Sequence, residues 1–240
     1  MKRTERHHLK EDPLVAGVLA ARQAVAGRGG AGIIAGVIVA VLVVVGGLYG
    51  WQQLRLAQSG ELLATAMAVL EAPVANEGEG QSVGAGSYSS IDDKLEAALP
   101  LLRAAAEEYP SLPAGIVARY QSAALLVTLG RAEEALRYFE QVAELDPDGV
   151  YGNMARLGRA EALLSNGDYD QAIVLLEAEV TSSGVDIPVD AVLMRLGIAY
   201  QLSNQQTEAI SAYTRLLNEF PASQYRFDAE SELDSLSGGG

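Results

Sequence analysis

Two unlike patterns of hydrophobic and polar positions divide the chain. From Gly29 to Leu54 no residue is charged, and Ile33, Ile34, Val37, Ile38, Val39, Val41, Leu42, Val43, Val44 and Val45 make the centre apolar on every side. Downstream, apolar residues recur every three or four positions, the spacing of amphipathic helices. Between Val117 and Leu129 this spacing holds, stops at Gly130 and resumes from Ala135 to Leu145, which predicts helix, turn, helix.

The interruptions repeat. Alanine stands at Ala98, Ala135, Ala172 and Ala209, a turn former at Gly130, Gly167 and Asn204, and a breaker at Pro110, Pro147, Gly184 and Pro221, each series spaced by 37 residues. Glycine adopts the left-handed conformation that closes a helix, and asparagine is the next most tolerant residue, so the three turns are chemically equivalent. Ala135, Ala172 and Ala209 open second helices, where a small side chain lets two helices approach. Phe139, Leu176 and Tyr213 follow one turn later on the same face as core residues. Ala123, Ala160 and Gly197 are the small residues of the first helices, with Leu126, Leu163 and Tyr200 three positions on. Such a period means stacked hairpins, none of which buries its apolar face alone, and it points to a docking surface before a catalytic pocket.

A degenerate hairpin lies upstream. Lys94 to Tyr109 carries Ala98, Leu102 and Ala105 at the phase of a second helix, and Pro100 within it predicts a kink or a later start. Its first helix is Leu54 to Glu71, continuing from the apolar run, and the Gly-, Ser- and Ala-rich segment 72–90 is a flexible insertion. After Pro221, Ser223 caps a last helix through about Leu236. The expected fold is all-α, a single transmembrane helix followed by an α-solenoid of about four helical hairpins. Its parts are a basic segment 1–28, a transmembrane helix 29–53, a repeat domain 54–236 and a tail 237–240.

The apolar run is long enough to cross a bilayer, since Ala31 to Trp51 as a helix spans about 31 Å at roughly 1.5 Å per residue. Its β-branched residues would favour a strand in water, but a lone strand in lipid leaves backbone groups unpaired, so helix is expected. Tyr49 and Trp51 stand where interfacial aromatics belong, with Arg55 just beyond. The run exceeds the h-region of a cleaved signal, so an uncleaved anchor is expected. Gly32, Gly36 and Ala40, spaced by four, form a small-residue stripe suited to close packing of membrane helices. Asp12 and Pro13 suit the start of a short helix over Leu14–Ala26.

Charge orients this arrangement. Residues 1–30 hold six basic and three acidic side chains, whereas the rest of the chain holds 11 basic against 28 acidic, a net −17 within a total of −14. The basic head places the N-terminus in the cytoplasm and the acidic body across the inner (plasma) membrane, periplasmic in a Gram-negative cell and otherwise extracytoplasmic. So acidic a body excludes nucleic acid as a partner. There is no cysteine, hence no disulfide, thiolate zinc site or cysteine nucleophile. His7 and His8 are adjacent and lack metal-ligand spacing. Asp92-Asp93, Glu107-Glu108 and Glu133-Glu134 read as solvated helix faces, with Glu133 placed to pair with Arg137. Gly29-Gly30-Ala31-Gly32 has no following Lys-Ser/Thr and is not a phosphate loop. No catalytic, cofactor-binding or metal site is expected, and no enzyme.

Leu196-Gly197-Ile198-Ala199-Tyr200 and Ala135-Leu136-Arg137-Tyr138-Phe139, the latter followed by Leu145-Asp146-Pro147, resemble the tetratricopeptide repeat family. The period departs from the family's usual length of about 34, and Gly184 stands where a proline is expected. The resemblance implies a concave face formed by the first helices. Here that face would consist of Val117, Tyr120, Ala124 and Val127; Met154, Leu157, Glu161 and Leu164; and Ala191, Met194, Ile198 and Gln201. It is mostly apolar, and none of the twelve is Lys, Arg or Asn, so no clamp for a terminal carboxylate is expected. Such a face suits an amphipathic or unfolded apolar segment of a partner. Occlusion by the chain's own helices stays open beside that reading.

The single anchor, the Gly50-Trp51 exit, the Ala/Leu-rich helix and the short repeat array together resemble the ancillary subunit of the bacterial Sec translocon. That resemblance implies an adaptor, with translocon subunits or periplasmic chaperones as partners. Two other readings stay open: a scaffold for envelope assembly or cell division, and a membrane-anchored homo-oligomer.

Overall fold

The computed structural model describes residues 29–74, 87–181 and 187–238, and every regular element among them is a helix. The basic head with His7, His8 and the Leu14–Ala26 helix, most of the insertion, and Gly184 lie outside the described residues. Contacts divide the chain into two units, Met1–Ala57 and Gln58–Gly240.

Helix α1 (Gly29–Glu71) supplies the described part of the first unit and contains Gly32, Gly36 and Ala40. Val37 to Val45, Leu48, Tyr49, Trp51 and Leu54 are all exposed, so this stretch is apolar around its whole circumference. Its Ala35–Glu71 portion is the one helix among the described residues long and apolar enough to cross a membrane, with a mean hydropathy of 1.9 over an 18-residue stretch. The Arg55 guanidinium lies 5.0 Å over the Trp51 ring, a cation–π contact.

In the second unit, the last turns of α1 bring Leu63, Ala66, Val69 and Leu70 to Ala98, Leu102, Ala105 and Ala118. Helix α2 (Ile91–Glu108) starts ahead of Lys94 and runs through Pro100, so the expected later start does not occur. Ser90 Oγ accepts the Asp93 amide at 3.0 Å and fixes that early start. Pro100 is exposed, which keeps its ring out of the core.

Three regular hairpins follow: α3 (Pro113–Thr128) with α4 (Ala132–Leu145), α5 (Val150–Asn166) with α6 (Tyr169–Thr181), and α7 (Val189–Leu202) with α8 (Gln206–Glu219). Helix α9 (Arg226–Gly238) closes the array against α8. The first helices α3, α5 and α7 lie side by side, so side chains from successive hairpins share one face. Gly130, Gly167 and Asn204 have φ of 70°, 83° and 61°, the left-handed closure expected at each turn. The hydrogen bonds repeat as well: Arg131, Asp168 and Gln205 amides donate to Leu126, Leu163 and Tyr200 carbonyls at 2.8, 2.9 and 2.8 Å.

Small residues sit where helices meet. Ala135, Ala172 and Ala209 are fully buried beside Phe139, Leu176 and Tyr213. A Cβ on Gly197 would stand 2.3 Å from the Tyr213 ring, so the aromatic residue of the second helix dictates glycine in the first. Arg119 and Arg156, 37 residues apart, tie hairpin to hairpin. Arg119 donates to the Ala106 and Pro110 carbonyls at 3.0 and 3.2 Å, and Arg156 donates to that of Pro147 at 3.0 Å.

Candidate functional site

The face shared by α3 and α5 forms a groove of about 500 Å³. Tyr120, Ala124, Val127, Met154, Leu157 and Glu161, six of the twelve expected positions, line it together with Phe139, Gly158, Thr128 and Arg195. Helical spacing explains the convergence, because Tyr120, Ala124 and Val127 on α3, and Met154, Leu157 and Glu161 on α5, fall three or four apart. The aromatic wall is rigid: Tyr120 meets Phe139 edge-on at 5.7 Å between ring centroids and Tyr151 at 5.6 Å. Burial raises the Tyr120 phenol above its ordinary range, opposed by the positive charge of Arg195.

The remaining six positions divide. Val117 and Leu164 are half-buried outside the groove lining, Leu164 against the core around Leu176 and Val192. Ala191 and Met194 are buried, and Met194 and Ile198 pack in one cluster with Ala229, Leu233 and Leu236 of α9. Gln201 is engaged twice. Its Oε1 accepts from the Tyr213 hydroxyl at 3.0 Å, and its Nε2 donates to Glu232 Oε2 of α9 at 3.0 Å. At α7 the expected positions are thus buried or bonded, and of the two readings left open for this face, self-occlusion by the terminal helix describes α7 better than α5.

The profile of the tetratricopeptide repeat-like domain matches residues 28–238. The chain belongs to this family. Among solved structures, MamA (residue 41 to end) from Desulfovibrio magneticus RS-1 is similar at 24% identity with a TM-score of 0.47, over 60% of this chain and 74% of that one. The nearly identical TPR-like repeats of a Podosopora anserina protein described as a kinesin light chain are similar at 18% identity with a TM-score of 0.49, over 60% and 79%. No curated protein sequence matches the chain.

Within this tetratricopeptide repeat groove, Arg195 is the residue that the pattern did not reveal. Its counterparts one and two periods upstream are Gly158 and Gln121, so the repeat carries no signal for a cation there. From α7 it reaches back to α5, where its Nε lies 3.4 Å from Glu161 Oε2. Its Nη1 donates to the Ala191 carbonyl at 3.2 Å, while Nε is shut from solvent with no hydrogen-bond partner among the described residues. A groove expected to lack basic groups thus holds one guanidinium.

Two further depressions lie where second helices meet neighbouring helices, one of about 650 Å³ around Leu136, Val174 and Leu175 and one of about 430 Å³ around Glu177, Tyr200 and Arg215. One member of each of two acidic pairs, Glu134 and Asp93, makes structural contacts. Glu134, not Glu133, makes the surface pairing, to Arg103 at 2.8 Å and Arg131 at 2.7 Å, and these contacts hold its carboxyl below the usual range. Hydrogen bonds from Ser89 and Ser90 do the same for Asp93. Among the described residues no group of three or more His, Cys, Asp or Glu could hold a metal ion. What the tetratricopeptide repeat face offers is shape, apolar area and one ion pair, which suits capture of a protein segment.

Proposed function

We propose that the protein is a single-pass membrane adaptor. Its repeat domain stands outside the cytoplasm beside the secretion translocon and takes an apolar or amphipathic segment of a partner into the groove between α3 and α5. The observation that carries the reading is the convergence of Tyr120, Ala124, Val127, Met154 and Leu157 on one open groove, with Met154 still 40% exposed. Methionine is unbranched and adapts to varied apolar side chains.

The first half of α1 supports the anchor. A helix exposed and apolar on all sides is stable in lipid and costly in water. The basic head supports the orientation. The family match starting at residue 28 supports counting the apolar helix with the repeats instead of treating it as a removable leader. The resemblance to the translocon's ancillary subunit supports the location.

A photoreactive amino acid at Met154, activated in intact cells, tests the whole reading. Adducts with translocon subunits or emerging chains are expected, and the same probe at Val174, exposed on a second helix, should give few. Adducts only with envelope-assembly or division proteins, or only with a second copy, would replace the translocon by those partners. A reporter active solely outside the cytoplasm, fused at residue 240, should be active; a silent fusion reverses the orientation.

A further inference from the structure

We propose that the open groove receives an amphipathic helix bearing one carboxylate, which displaces Glu161 from Arg195. This rests on the groove reading above and adds the chemistry of the occupant.

The lining is uncharged along α3, where it consists of Tyr120, Ala124, Val127 and Thr128, and its only charges are Glu161 and Arg195. Those two are unequal partners. The Arg195 side chain is 25% exposed and that of Glu161 55%, so the cation is fixed and the anion exchangeable. At 3.4 Å they form an ion pair without a hydrogen bond, and Arg195 Nε makes none with any other described residue. A carboxylate entering at about 2.8 Å would supply the charge-assisted hydrogen bond that Glu161 does not.

The chain contains a precedent for the occupant. On the neighbouring α7 face, α9 contributes Ala229, Leu233 and Leu236 to the cluster holding Met194 and Ile198, and its Glu232 accepts from Gln201 at 3.0 Å. Apolar residues at i, i+4 and i+7 with a carboxylate at i+3 is thus a pattern this face already accepts. One period upstream Met194 and Ile198 become Leu157 and Glu161, and Arg195 supplies the donor. The net −17 of the body would draw in a basic helix instead, but a cation at this point would stand against Arg195.

Three fluorescein-labelled 15-residue helical peptides separate these outcomes, with leucine at i, i+4 and i+7 and glutamate, glutamine or lysine at i+3. Binding is read by anisotropy against the full chain in lipid nanodiscs. The glutamate peptide should bind about tenfold more tightly than the glutamine peptide, and the lysine peptide more weakly than both. Arg195→Gln should erase the glutamate preference and leave the glutamine peptide unaffected; Glu161→Gln should tighten the glutamate peptide alone. A lysine preference, or weaker glutamate binding by Glu161→Gln, overturns the proposal, and the peptide series on the unaltered chain decides it even where a variant misfolds. If all three bind equally and Leu157→Glu abolishes all three, the groove reading stands and the carboxylate is wrong. If none binds, or Leu157→Glu changes nothing, both fall.

Discussion

Helices α5 and α7 hold the same place in successive hairpins, yet one face is open and the other covered. On α5, Met154 and Glu161 are exposed and Leu157 half-buried, whereas on α7 Ala191 and Met194 are buried and Gln201 is bonded to a neighbour. The register is identical; the contribution of the following helix is not. Helix α7 sends Arg195 back to Glu161 of α5, while Leu233 and Leu236 of α9 join the cluster that holds Met194 and Ile198 of α7. In a solenoid, then, the repeat fixes which positions face the groove, and the next element decides whether they remain available.

Glutamate at the two equivalent positions should give the largest contrast. Met194→Glu places a charge in the cluster beneath α9 and should cost about 3 kcal/mol or more, seen as a large fall in the melting temperature by circular dichroism. Leu157→Glu puts the charge at the groove edge, should cost clearly less, and should abolish peptide capture while the helical signal persists. Equal melting temperatures for the two would show that α9 does not distinguish these faces.

Removing the cover should convert one face into the other. Truncation after Ala222 takes away Ala229, Leu233 and Leu236, at a cost of roughly 2–4 kcal/mol for apolar side chains returned to water. Amide exchange should quicken in α7 and α8 while α3 to α6 stay protected. Protection unchanged in α8 would mean that the array closes without α9.

The turns allow a finer comparison. Alanine at Gly167 must adopt the left-handed region at a cost of about 1–2 kcal/mol, whereas Asn204→Gly relieves a small strain and should stabilise slightly. Urea midpoints should therefore move in opposite directions. A shift of the same sign in both would remove the equivalence that their φ values and hydrogen bonds imply.

How much of this was legible in the sequence follows from what repeats. The turns at Gly130, Gly167 and Asn204, the buried alanines and the Phe139, Leu176 and Tyr213 series recur at 37 residues, and each was readable because every hairpin needs it. So was the apolar run of α1, whose composition alone distinguishes it. The early start of α2 was not, because Pro100 suggested a boundary and only the Ser90 cap and the outward-facing ring show why the helix tolerates it. The covering of Met194 and the arrival of Arg195 were not either. Both depend on side chains from another helix, and periodicity says nothing of a residue that occurs in one repeat only.

The smallest effect concerns the seam between α6 and α7, where the Tyr200 hydroxyl donates to the Glu177 carboxylate. Burial, then that hydrogen bond and the charge of Glu177, push the Tyr200 phenol up to about 12 from its ordinary 10. The folded value lies above the unfolded one, so the contribution of this contact is complete below pH 10 and is lost as pH rises through about 12. The side chain is only half-buried, and solvent screening keeps the effect small. Tyr213 shifts in the same direction through burial and the nearby Glu232, which places part of the alkaline loss at the α9 end of the array. Melting temperatures measured from pH 9 to 12 should fall less steeply in Tyr200→Phe than in the unaltered chain, with the curves converging at the alkaline end. Parallel curves over that window would leave the Tyr200–Glu177 contact without a share in holding the second hairpin to the third.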